Sequence, residues 1–220
     1  MTSVVPFKPL QQPRTGDRSL ELDLLSHCLA SFGLARAQAL SLSAGLLDRY
    51  GSLGAVITAS EAALRSTPGM SPGVARGLVG LYRLTTALSA FELRDREVIS
   101  SAAALEAYVR TRLRFETREQ VRILYLDHRN HLIRDEGTGQ GTVNHAPVYA
   151  REVIRRALEL SASALILAHN HPSGDPTPSR ADIAVTRHIA QAAGLFGLQV
   201  HDHLIVGRDR TASLRALGLM

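Results

Sequence analysis

Ala168-His169-Asn170-His171-Pro172-Ser173-Gly174-Asp175-Pro176-Thr177-Pro178-Ser179-Arg180-Ala181-Asp182 is the stretch on which the fold and chemistry of this chain turn. It follows Ala164–Ala168, a short apolar run of the kind that forms a strand buried on both faces. His169 and His171 lie two residues apart, so an extended backbone points both imidazoles to one side. A helix is expected from about Ser179 to Ala193, with Asp182 one turn in. Spacing i, i+3 sets Ser179 and Asp182 on one face of that helix. Three prolines and a glycine can hold the helix start against the strand end. A lone His-x-His is an ordinary surface pair. Joined to Pro172, Ser179 and Asp182 at these offsets, it becomes two imidazoles and one carboxylate, a sound ligand set for a catalytic zinc with the fourth position left to water.

Outward from this loop the second half alternates strand and helix patterns. Val121–Leu126 is strand-like, and Asp127-His128-Arg129-Asn130 is a hairpin turn into a second strand at His131–Arg134. Gly137, Gly139 and Gly141 suggest a loop, followed by a short extended segment at Thr142–Val148. Arg151–Leu160 is helical, Leu198–Val206 another strand and Ser213–Leu217 a short final element. The first half differs. After a Pro-containing arm at 1–18, apolar residues recur at helical spacing from Ser19 to about Asp48. Gly51 and Gly54 break that pattern, Ser60 is placed to cap a short helix through Leu64, and a long helical pattern runs from Val74 to about Arg94. Ala102–Arg112 is a helical connector. The expected organisation is a flexible N-terminal arm at 1–18, an all-α domain at 19–98 and a mixed α/β domain at 99–220.

The composition is that of a globular protein: 45% hydrophobic and 20% charged residues over 220 positions. The formal charge of +5 invites a nucleic-acid partner. It is spread evenly, however, with 12 basic and 9 acidic side chains in 1–113 against 13 and 11 in 114–220. Lys8 is the only lysine. The single cysteine, Cys28, excludes an internal disulfide framework and any multi-cysteine zinc site. No apolar run reaches the roughly 18–20 residues of a membrane span, and Met1–Leu10 lacks the build of a signal peptide. A cytoplasmic location and no membrane partner are expected. Eight of the nine histidines fall between His128 and His203, which concentrates interest on the second half.

The arrangement His-x-His-Pro-x6-Ser-x2-Asp resembles the JAMM metalloprotease motif. His-Asn-His-Pro-Ser-Gly-Asp-Pro-Thr-Pro-Ser resembles more closely the signature of the bacterial RadC family. Gly141-Thr142-Val143-Asn144, Arg151-Glu152 and Asp202-His203-Leu204-Ile205-Val206-Gly207 are similar to that family too. The likeness covers about Glu119 to Met220. It implies a cytidine-deaminase-like, JAMM (MPN) mixed β-sheet with flanking helices, preceded by a small helix-hairpin-helix-like domain. It also implies one zinc ion held by His169, His171 and Asp182, with zinc-activated water attacking an amide or isopeptide bond of an unknown protein or peptide.

A further glutamate just before the first strand of the domain is implied, and the matching position is Glu119. A carboxylate there could take a proton from the water and deliver it to a leaving amine. Ser179 or the metal would stabilise the oxyanion. Glu116, Glu136 and Glu152 compete for the base role. Glu116 reads as a solvated linker residue, Glu136 as the end of a hairpin strand, and Glu152 as a carboxylate favoured at a helix start. His201 and His203 repeat the i, i+2 spacing but lack a third ligand at a telling offset, so they read as hydrogen-bonded strand histidines near the site. His128, His131 and His145 read as solvated. Residues 64–78 resemble a helix-hairpin-helix turn that could meet a DNA phosphate. Ser71 stands where that motif has its second glycine, and Thr67 where it has an apolar residue. The alternative function is thus a DNA-associated repair or recombination factor, with or without nuclease activity.

Overall fold

The computed structural model describes residues 17–94, 102–138 and 148–220. The chain divides into two compact units, Met1–Gly77 and Leu78–Met220. The division falls inside one helix, and the boundary expected at 98/99 lies outside the described residues. Residues 95–101 lie outside the described residues, as do the arm at 1–16 and positions 142–147 of the expected extended segment.

The first unit is helical: α1 (Arg18–Ser31), α2 (Arg36–Tyr50), α3 (Leu53–Thr58), α4 (Glu61–Arg65) and the start of α5 (Pro72–Arg94). Its core is built from one-sided leucines, Leu25 and Leu29 of α1 with Leu46 and Leu47 of α2. Ser60 caps α4 by accepting from the Ala63 N–H, as its position suggests. Gly51 does end α2, in the left-handed conformation at φ 84°. Gly54 does not break the pattern. It lies buried within α3, because the Ser52 side chain accepts from the Ala55 N–H and starts a new helix there.

The second unit contains the rest of α5, then α6 (Ala102–Leu113), β1 (Val121–Leu126), β2 (Leu132–Gly137), α7 (Ala150–Glu159), β3 (Ala164–Asn170), α8 (Arg180–Gly194), β4 (Gln199–Val206) and β5 (Thr211–Ser213). The sheet order is β2-β1-β3-β4-β5. β1 is antiparallel to both of its neighbours, β3 is parallel to β4, and β5 is antiparallel to β4. The mixed α/β expectation for this half holds. Two details differ. β2 runs on through Gly137, which pairs with Arg122, so Gly137 is strand and not loop. The final element is a short edge strand at Thr211–Ser213 followed by turns.

Strand alternation sorts the core into two layers. Leu124 and Leu126 of β1, Ile166 and Ala168 of β3, and Leu204 and Val206 of β4 pack with α6. Val121, Ile123 and Tyr125 of β1, with Leu165 and Leu167 of β3, pack with α7 and α8. Every residue of β3 is buried, which accounts for its continuous apolar run. By the same parity His169 falls on the α7/α8 face and Asn170 on the α6 face. Burying both faces of β3, at roughly 25 cal/mol per Å² of apolar surface, holds in place the strand that carries the site.

Candidate metal centre

β3 ends where α8 begins its return, and the site is built at that point. His169 is 1% exposed. His171 follows the strand end and is tied down by its own N–H donating to the Val206 carbonyl at 3.0 Å. The two Nε2 atoms face each other at 3.0 Å, as the i, i+2 spacing suggests. Asp182 reaches them from the first turn of α8, with Oδ1 3.3 Å from His169 Nε2 and Oδ2 3.5 Å from His171 Nε2. One ligand atom from each of these three residues lies within 4.8 Å of the others.

Asp182 is aimed by the helix it belongs to. Ser179 is the N-cap of α8 and Asp182 is the third helical residue. The Ser179 hydroxyl accepts from the Asp182 N–H at 3.1 Å, and Asp182 Oδ2 accepts from the Ser179 N–H at 2.7 Å. This reciprocal capping box leaves the carboxylate leaning back over the strand end. Burial raises the Asp182 carboxyl, but hydrogen bonds from His169, His171 and Ser179 outweigh it and hold the group well below the usual carboxylate range. Conversely, its hydrogen bond raises His171. Burial opposes that shift, and the Asp175 carbonyl and the Glu119 charge add to it.

The loop between strand and helix is braced from the β4 end. The Asp175 carbonyl lies 2.8 Å from His171 Nδ1. The Gly174 carbonyl accepts from the Arg208 N–H at 2.9 Å. A Cβ on Gly207 would come within 2.5 Å of the Gly174 oxygen and 2.6 Å of Pro176 Cδ. Only glycine lets the β4–β5 turn approach so closely.

Both histidines thus have Nδ1 engaged and Nε2 directed at Asp182. Nδ1 of His169 lies 2.7 Å from Nε2 of His203. A metal-binding imidazole is held in this way, with its far nitrogen bonded to an acceptor. The donor set of two imidazoles and one carboxylate suits zinc. His203 is 2% exposed, and burial followed by the neighbouring His169 pushes its imidazole down to about 3. His203 thus stands behind a candidate ligand, while His201, which the register irregularity of β4 leaves without a strand partner on β3, bonds Asn130 Oδ1 at 2.8 Å.

Glu119 precedes β1 by two residues. Val121 pairs with His169, so the antiparallel register carries Glu119 up beside His171. It lines a cavity of ≈ 340 Å³ with His169, Asp182, Val185 and Tyr149. Asn170, between the histidines, holds this segment. Its Oδ1 accepts from the Gln120 N–H at 2.9 Å, and its Nδ2 donates to the carbonyls of Glu116 and Arg118 at 3.1 Å each. The other glutamates are engaged elsewhere. Glu116 is not freely solvated: it accepts from Gln120 Nε2 at 2.7 Å, and burial raises its carboxyl. Glu136 is paired with Arg156 at 2.5 Å, and Glu152 with Arg155 at 3.0 Å in the first turn of α7.

Among the remaining histidines, His128 and His188 are exposed. His131 lies 3.4 Å from Asp127. His145 and Gly141–Asn144 lie outside the described residues. In 64–78, Gly69 takes φ 82° and the Ser71 hydroxyl accepts from the Val74 N–H, so serine serves the start of α5 as a cap. No helix among the described residues is long and apolar enough to cross a membrane. Asn170, Thr186 and Gly207 carried no sequence signal of their role. His203 was marked only by its place beside His201, and the register irregularity at His201 means that plain alternation does not place the pair. The family model described as a RadC-like JAB domain matches residues 99–219.

Proposed function

The chain belongs to the RadC-like JAB domain family, and on that premise we propose that it is a single-zinc hydrolase acting on an amide or isopeptide bond of a protein or peptide. His169, His171 and Asp182 would hold the ion. When bound, zinc supplies Lewis acidity and water with a pKa near ~7. Glu119, on the wall of the same cavity, accepts the proton released there and passes it to the leaving amine. Ser179 uses its oxygen lone pair on the Asp182 N–H, so its hydroxyl proton can be donated to a substrate carbonyl oxygen as negative charge develops. Val121, Val148, Leu167 and Val185 give the cavity apolar walls that limit water around these groups.

The observation that carries this proposal is the convergence of three ligand atoms with both histidine Nδ1 atoms already bonded. The test is metal content of the purified chain by mass spectrometry, alongside Asp182→Ala and His169→Ala. The wild type is expected to hold one zinc and each variant to lose it. Peptide, isopeptide and phosphodiester substrates are then compared with wild type and Glu119→Gln. Amide cleavage that is lost in Glu119→Gln supports the assignment. Cleavage of only the phosphodiester would overturn it.

A further inference from the structure

The hydrogen bonds behind the site form a continuous path, and its direction follows from one atom. The Asp182 backbone carbonyl can only accept, and Thr186 Oγ1 donates to it at 2.5 Å. The single hydroxyl proton of Thr186 is then used. Its oxygen also lies 2.6 Å from His203 Nδ1, so at that contact the histidine must be the donor. A neutral His203 with its proton on Nδ1 presents a bare Nε2. That Nε2 is 2.7 Å from His169 Nδ1, so the proton between them belongs to His169. A doubly protonated His203 would set two N–H groups against each other at that contact. With that proton on Nδ1, a neutral His169 keeps Nε2 as the lone pair that a metal needs, whereas in the metal-free chain a second proton on Nε2 can still bridge to Asp182.

We infer that His203, oriented by Thr186, is a positioning residue that locks His169 in its metal-binding tautomer and couples that ligand to the backbone of Asp182. This rests on the metal assignment above. Three elements meet in the path: β4 supplies His203, α8 supplies Thr186 and Asp182, and β3 supplies His169. Thr186 is fully buried and both histidines nearly so, so no water competes for these bonds. Asp202, next in sequence, stands outside this side-chain path, although its Oδ1 accepts from the His203 N–H at 2.7 Å. It accepts from the Ser213 hydroxyl at 2.6 Å and from the Arg215 N–H at 3.1 Å, which anchors the chain after β5.

The test measures zinc affinity of the full chain by competition with a chromophoric chelator, for wild type, His203→Gln, His203→Leu and Thr186→Val. His203→Leu is expected to lose about 10–100-fold in affinity, the usual effect of removing an outer partner of a ligand. His203→Gln, whose amide can accept from His169 and donate toward Thr186, is expected to stay within a few-fold of wild type. Thr186→Val should weaken binding by less than His203→Leu. The metal-free His203→Leu chain is expected to melt lower, because the buried His169 Nδ1–H loses its acceptor, so affinity is compared on the folded variant. Independently of folding in the variants, ¹⁵N NMR of the metal-free wild type should show His169 protonated on Nδ1. Wild-type affinity in His203→Leu, or a His169 with no proton on Nδ1, overturns the inference. A folded wild type that binds no zinc overturns the metal assignment and this inference with it.

Discussion

Gly207 shows how narrowly single residues are constrained around this site. A methyl group there would overlap the Gly174 carbonyl at 2.5 Å, and backbone cannot yield as a flexible side chain does. Gly207→Ala is expected to cost about 1–3 kcal/mol, in the range of overpacking, and to weaken zinc binding by shifting the loop that carries His171. Denaturant unfolding and chelator competition measure the two effects. Unchanged values for both would show that the loop does not need this close approach. Asn170 is constrained by polarity. Asn170→Asp keeps an acceptor for the Gln120 N–H but turns carboxylate oxygen toward the carbonyls of Glu116 and Arg118. The expected result is zinc content near one with hydrolysis sharply reduced, because Glu119 loses its mooring while the ligands stay. Loss of metal instead would mean that Asn170 supports the ligands and not the base.

Among the elements, α8 joins stability to chemistry through its first turn. Its capping box satisfies two N–H groups that a helix start leaves without partners, and one member of the box is Asp182 of the candidate metal centre. Ser179→Ala removes a cap worth typically ~1 kcal/mol. The Ser179 N–H still donates to Asp182 Oδ2 in that variant, so zinc affinity should change by only a few-fold. If hydrolysis also falls beyond what the lost stability explains, the hydroxyl acts on substrate. If it does not, Ser179 is a cap alone. β3 makes the complementary contribution. Burial on both faces removes freedom from the strand that ends in His169, so the imidazole sits on a fixed mount.

For the whole molecule, zinc that binds only the folded chain must stabilise it by mass action. A concentration ~100 times the dissociation constant adds about 2.7 kcal/mol. For a folding unit of this size that corresponds to a rise of roughly 5–11 °C in the melting temperature. Scanning calorimetry with zinc and with excess chelator checks this, and coincident curves would refute a metal bound to the native state. The +5 charge is a property at this scale as well. Being evenly spread, it predicts weak DNA association that disappears near ~150 mM salt, since phosphate contacts are steeply salt-dependent. Retention of duplex or branched DNA above that salt would assign DNA binding to the 64–78 hairpin.

What the sequence determined by itself is local. His169, His171, Ser179 and Asp182 fall within 14 positions. Strand period, helix spacing and capping chemistry act over a few residues, so the His-His-Asp group that could hold a metal and the mixed α/β character of the second half were legible. Glycines misled at Gly54 and Gly137, because a serine cap and a strand pairing overrode their local preference. The tertiary structure alone decided which histidine bonds which. His203 stands 34 residues from His169 and 17 from Thr186, and Asn170 stands 50 from Gln120. These partners are chosen by strand register and by which side of the sheet a residue faces. A shift of one residue in β4 would turn His203 away from His169. Hydrogen bonds across such separations exist only once the sheet has set its register, so a linear pattern of residues cannot specify them.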